Sequence, residues 1–545
     1  WADSLADTFA EVLEVRVVNV EVVVTDRDGR RVPGLGPEDF RLRVAGREVA
    51  IEYFTEVRDG LALERGHPAE TPGEPNAPAE VSPGEPVGTS YLVFLDEMFM
   101  VGADRDRVLR RLESQLPLLA PVDRMAIVAF EGRRLEVLAG WTGSSDDLAA
   151  ALGLAGRRRT YGLERMAEEA RMLSGADVRM QRRQDFRSEL PPGALETLGR
   201  AVATQLEAEQ RAYAELLASQ IRRVSGAAAG AMRAFSEASG RKVLLLLSGG
   251  WHFEPADAAA DQDQAAATAA DRDIPGGADL YASLVETANL LGYTIYPVDV
   301  SGLQGDRTLT ERVAAGGGPR LLPEHATEST LFHLASRTGG KALVNTLRDV
   351  VLESPAADTR SYYWLGFTPD WERDDEVKRI EIDLLRPDLE ARFRRGILDL
   401  STAAEATARV ESLLLLGPPT EDRLLPVRVG AVERAGRGLM RVRLTLAIPV
   451  RAVTFLPRGD GFVGAVELRM LAMDEDGGRS EMTSVPLELS AGRSPSPEGH
   501  IRYDTEITLR NVEHDVVVAV LDPARGTLVA NRLKVSPAAG RASGP

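Results

Sequence analysis

Four short apolar runs limit most strongly what this chain can fold into: YLVFL at 91–95, MAIVAF at 125–130, VLLLL at 243–247 and YTIYPV at 293–298. Each is far shorter than the roughly 20 residues of a membrane span. Each is apolar on nearly every residue rather than on alternate ones. A strand of that composition is covered on both faces, which is the condition of a parallel sheet packed between helices. The segments between the runs have helical spacing. Val108, Leu112, Leu116 and Leu119 recur in DRDRVLRRLESQLPLL, and DLYASLVETANLL precedes GYTIYPVDVSG. RLEVLAGWT reads as a further buried strand, and SSDDLAAALGLA as a helix capped by Ser144 or Ser145. The alternation predicts a doubly wound, Rossmann-like parallel sheet over 90–350.

The flanks have a different period. In VNVEVVVTDRDG, Val20, Val22 and Val24 alternate with Glu21, Val23 and Thr25, and Gly29 closes a hairpin turn. Phe40, Leu42 and Val44 alternate with Arg41 and Arg43. Residues 1–58 therefore read as an N-terminal arm and a small β module, and 59–89 as an extended Pro/Gly-rich linker. A helical insertion is expected at about 156–240, where Leu206, Leu216, Leu217 and Ile221 keep helical spacing. Residues 351–400 read as a β segment completing the N-terminal module, and 401–423 as a helical linker. Residues 424–536 alternate as strands of an immunoglobulin-like β-sandwich, and 537–545 as a disordered tail.

Composition excludes several functions. The 545 residues carry a formal net charge of -18, which disfavours nucleic acid or an anionic membrane as the main partner. There is no cysteine, so disulfides, thiolate metal sites and Cys nucleophiles are excluded. The chain opens on Trp1 rather than Met, so a processed N-terminus and a missing signal peptide are expected. No phosphate loop, G-x-S-x-G elbow or recognisable triad is found.

The blocks YLVFLDEMFM, PVDRMAIVAFEG, AGWTGSSDDL, KVLLLLSGG, GYTIYPVDVSG and LASRTGGKAL together resemble a von Willebrand factor A-type domain. With the flanking VVNVEVVVTDRDG…IEYF and SYYWLGFTPDW…GIL, residues 15–400 look like the von Willebrand factor A-related proteins abundant in acidobacteria. The resemblance implies an exported protein, whether secreted, cell-surface or periplasmic. It also implies a divalent-cation site, usually for magnesium, built from D-x-S-x-S after the first strand with a Thr and an Asp from later loops.

Asp96 stands at the first position of that motif, but Met98 and Met100 stand where the two serines belong. A thioether is a soft ligand that does not serve magnesium. Thr142 matches the expected threonine, Glu97 is an additional candidate ligand, and Ser248 or Gly249 replaces the later aspartate. The site is therefore expected to be degenerate, with no cofactor. Met98, Phe99, Met100 and Ser248 are candidate partner-binding residues: Met98, Phe99 and Met100 either give the sheet's carboxyl edge an apolar, adaptable surface or lie buried under the inserted helices. His252 and Glu254, near where Asp96 should lie, are weaker zinc candidates. The expected function is a non-enzymatic protein–protein interaction or assembly protein that binds a protein partner or itself. The alternatives are a cation-dependent adhesion protein and, more remotely, a hydrolase.

Overall fold

The computed structural model describes residues 18–64, 84–169, 171, 192–236, 240–259, 274–300, 325–344, 350–368, 374–399, 401–416, 423–458, 461–475, 478–493 and 495–537. The N-terminal arm, most of the tail and residues 65–83 lie outside them.

The chain begins with strands β1 (Val18–Asp26), β2 (Phe40–Val44), β3 (Arg47–Val49), β4 (Tyr53–Arg58) and β5 (Leu61–Glu64). Val20, Val22 and Val24 are buried, as their alternation requires. The DRDG turn is closed by Asp26, whose Oδ1 accepts from the amides of Asp28 and Arg30, with Gly29 at φ 76°. The linker expected at 59–89 is shorter than its composition implied. β5 pairs with β4, Leu61 bridges Pro86, and Val87 is buried. The strand buries Ala62 against Val57, Val87 and Tyr362, while Leu61 stays exposed.

The central domain follows as β6 (Thr89–Asp96), α1 (Gly102–Gln115), β7 (Arg124–Phe130), β8 (Leu135–Thr142), α2 (Ser145–Gly156), α3 (Pro192–Ala234) and β9 (Arg241–Ser248). It continues with α4 (Pro255–Ala259), α5 (Gly277–Leu291), β10 (Tyr293–Asp299), α6 (His325–Thr338) and α7 (Glu353–Arg360). The sheet order is β10-β9-β6-β7-β8. β10, β9, β6 and β7 run parallel, and helices cover both faces. One expectation is corrected here. β8 is antiparallel to β7, lies at the sheet edge and is half-exposed along most of its length. Only residues 131–134 join the two strands, whereas a parallel return needs a dozen or more residues.

Helix α3 has 43 residues, about 65 Å at the α-helical rise. Its C-terminal half is the crossover helix, with Leu217, Ile221, Val224, Ala228 and Met232 buried against the sheet. The described side chains between Thr197 and Ala208 are exposed, so the first half projects beyond the sheet.

After α7 come β11 (Tyr362–Phe367), β12 (Val377–Leu384), β13 (Leu389–Arg392) and β14 (Gly396–Leu398). These strands interleave with the first five: β11 lies between β1 and β4, β13 pairs with β1, and β12 pairs with β2. The two sheets share a core of Val20, Leu42, Phe54, Tyr363, Leu365 and Ile380. The α/β domain is thus inserted into a β-sandwich. Buried Asp358 of α7 clamps the two together. Its carboxylate accepts from Tyr296 Oη at 2.7 Å and Arg392 Nη2 at 2.8 Å and pairs with Arg31, and its carbonyl accepts from Arg241.

Helix α8 (Thr402–Leu416) docks the C-terminal domain. Ala406, Val410 and Leu414 pack on that domain, while Glu411 pairs with Arg233 of α3 at 2.5 Å. The domain itself comprises β15 (Val427–Arg434), β16 (Leu439–Pro449), β17 (Phe455–Arg458), β18 (Gly461–Asp474), β19 (Thr483–Ala491), β20 (His500–Arg510), β21 (His514–Asp522) and β22 (Thr527–Val535). Its two antiparallel sheets enclose one apolar core that includes Val442, Leu444, Leu468 and Val518.

Candidate functional site at the carboxyl ends of the central sheet

β6 and β9 are neighbours at the point where the winding of the sheet reverses, the place where open α/β sheets leave a crevice for ligands. β6 delivers Asp96 there and β9 delivers Ser248. Asp96 is fully buried. Its Oδ1 accepts from the amides of Met98 and Phe99, both at 3.2 Å. Its Oδ2 accepts from Ser248 Oγ at 2.6 Å and Trp251 Nε1 at 2.8 Å. Burial pushes the Asp96 carboxyl up to about 6, against the pull of Ser248, Trp251, the Phe99 amide and Arg165. Trp251 is fixed in turn. Its ring stacks on Tyr281 at 5.9 Å, and its carbonyl accepts from Thr330 Oγ1.

The loop after β6 folds down onto the end of β9. A Cβ built on Gly249 would stand 2.0 Å from the Phe99 carbonyl oxygen. No side chain fits at Gly249, a carboxylate least of all, while the loop keeps this path. A second layer covers the loop. Tyr161 N donates to Glu97 O at 2.8 Å, Gly162 N donates to Met100 O at 3.0 Å, and the Arg165 guanidinium lies 3.8 Å from the Phe99 ring centroid.

The residues singled out in the sequence do not converge. Glu97 points away from Asp96, as adjacent strand residues do. It is buried against Arg158 Nε at 2.7 Å, and burial raises its carboxyl above the usual range despite that partner. Thr142 stands at the other end of the sheet. It pairs with Met125, whereas Asp96 pairs with Phe130, a separation of about 17 Å along the strand. Thr142 instead accepts from the Ser144 amide and lines a groove of about 520 Å³ between β8 and α2. Ser144 is the α2 cap, accepting from Asp147 N.

Of the two placements open to Met98, Phe99 and Met100, an apolar surface or burial, the structure has burial. Phe99, Met100 and Ser248 are buried and Met98 is half-buried; Arg165 lies over the Phe99 ring and Gly162 N bonds Met100 O. His252 Nε2 lies 3.6 Å from Glu169 Oε1, while Glu254 packs against Gly276 and Gly277 at the start of α5. Burial, with Arg165 nearby, holds His252 down at about 4.

These residues do not fit a divalent cation. Hard cations need several oxygen ligands with free lone pairs. Both Asp96 oxygens are already engaged by donors, and Thr142 is at the wrong end. Among the described residues, no group of three or more His, Asp or Glu could hold a metal ion. The residues that sequence reasoning missed are Trp251, Arg165 and Glu169. Trp251 was signalled only by its place directly after SGG. The other two carried no local signal.

No family model matches the chain, and no curated protein matches it. Among solved structures, the chain is similar to the pilus adhesin SpaC from Lactobacillus rhamnosus GG at 8% identity and a TM-score of 0.24, over 92% of this chain and 62% of the adhesin. The chain spans less than two thirds of that adhesin's length, and a likeness this weak carries no argument.

Proposed function

We propose that this chain is a non-enzymatic protein–protein interaction or assembly protein, exported, built on a von Willebrand factor A-type sheet whose cation site has become a closed hydrogen-bond network. The observation that carries this reading is the set of four donors on Asp96: two amides, Ser248 and Trp251. They occupy the lone pairs a cation would need and tie the loop shut. The mixed sheet, with its order reversing beside Asp96, supports the domain type. Among the described residues no helix is long and apolar enough to cross a membrane.

Calorimetry with magnesium, manganese and calcium tests the reading. No saturable heat is expected from the intact chain. Stoichiometric binding abolished by Asp96→Ala would instead establish a cation-dependent adhesion protein.

A further inference from the structure

The helical segment over the crevice, residues 162–169, carries charge on its inner face as well as on its outer one, where Glu164 and Glu168 are exposed. Leu163 faces outward at 62% exposure, whereas Arg165 and Glu169 face the interior. Arg165 stacks on Phe99 at 3.8 Å and donates from Nη1 to Gln220 Oε1 at 2.7 Å. The carboxylates of Asp96 and Glu169 act on it electrostatically. Glu169 is only 7% exposed, and its Oε1 has no hydrogen-bond partner, His252 Nε2 standing beyond hydrogen-bond reach at 3.6 Å. The buried Tyr213 hydroxyl has none either.

This is a half-satisfied polar pocket. It offers an aromatic floor, the Glu169 Oε1, an amide oxygen and an unpaired hydroxyl around one guanidinium, while Asp96, whose oxygens are taken by other donors, adds only its electrostatic field. A planar cation with five in-plane donors, able to stack, matches that set, and a compact ammonium does not. Unmade buried hydrogen bonds are costly, so a guanidinium that reached Glu169 Oε1 and the Tyr213 hydroxyl would gain what Arg165 leaves unmade.

We propose that this pocket is a guanidinium-recognition site, plugged by the chain's own Arg165, which an arginine presented by a protein partner displaces. The proposal rests on the interaction reading above and names its site. The net charge of -18 favours the approach of an arginine-bearing partner. Because Arg165 is tethered beside its site, it competes at high effective concentration. The intact chain therefore binds an external arginine more weakly than an unplugged one.

The test uses the full chain and its Arg165→Ala variant. Each is melted in millimolar guanidinium chloride and in matched sodium chloride, and titrated with a blocked oligoarginine peptide and an oligolysine of equal length. Expected results are a saturable, guanidinium-specific rise in Tm in the variant only, and oligoarginine binding at least about tenfold tighter than to the intact chain. Adding Glu169→Gln should remove both effects. A folded variant that responds equally to the two salts, or to the two peptides, overturns the proposal. If Arg165→Ala does not fold, hydrogen exchange on the intact chain decides. Oligoarginine, and not oligolysine, should speed exchange of the amides of 162–169, and unchanged exchange overturns the proposal. Either failure leaves the interaction reading standing, because that reading fails on cation binding at Asp96.

Discussion

Replacing Asp96 by alanine should destabilise the central domain in a way whose pH dependence reports what the carboxylate does. The substitution removes the acceptor of four donors. The Ser248 hydroxyl can rotate, but Trp251 Nε1 is held by the stack on Tyr281 and is left buried and unpaired. Orphaned donors cost about 1–3 kcal/mol each, so a total of about 3–5 kcal/mol is expected, in line with breaking a buried charged cluster. An opposing effect grows with pH. The Asp96 carboxyl is raised from 3.8 to about 6 in the fold, so ionising it there costs about 3 kcal/mol. A folded-state pKa above the unfolded one contributes stability that is fully present below about pH 4 and is lost as pH rises through about 6. The stability gap between the native chain and Asp96→Ala should therefore be widest near pH 4 and should shrink by up to about 3 kcal/mol toward pH 7. Urea unfolding of both chains across this range, followed on the transition of the central domain, measures the gap. A gap that widens with pH, as for an ionised carboxylate serving a cation, would refute the reasoning.

Trp251→Phe keeps the stack on Tyr281 and deletes only the N–H donor; thermal melts should show a loss of about 1–2 kcal/mol. Gly249→Ala places a Cβ 2.0 Å from the Phe99 oxygen and should cost about 1–3 kcal/mol through forced backbone movement, read by the same melts. Asp358→Ala leaves Arg31, Arg392 and Tyr296 without their shared acceptor. It should cost about 3–5 kcal/mol, with limited proteolysis showing cleavage between the β-sandwich and the α/β domain. Thr142→Val should change stability by no more than about 0.5 kcal/mol, because among the described residues its hydroxyl meets only the Ser144 amide at the sheet's far end.

The buried parallel strands were legible because each is a run of apolar residues that only a two-sided environment accommodates. The direction of β8 was not visible in its composition, since an apolar strand looks the same read either way. The four residues between Phe130 and Leu135 held the information, and with them Thr142 belongs at the far end of the sheet. That the two positions after Asp96 offer a hard cation nothing was legible in the thioethers of Met98 and Met100. What engages Asp96 instead was not, because Trp251 reaches it across 155 positions of sequence. Arg165 and Glu169 escaped notice for a different reason. Their helix turns charge inward and Leu163 outward, so its pattern reads as an ordinary solvated face.

The claim that the crevice is closed by the protein's own donors is tested most directly by a crystal structure grown with manganese, using anomalous scattering to locate the ion. The expected result is no manganese at Asp96 and the indole N–H of Trp251 on the carboxylate at about the 2.8 Å seen here. A manganese ion bonded to Asp96, with Trp251 turned away, would contradict it.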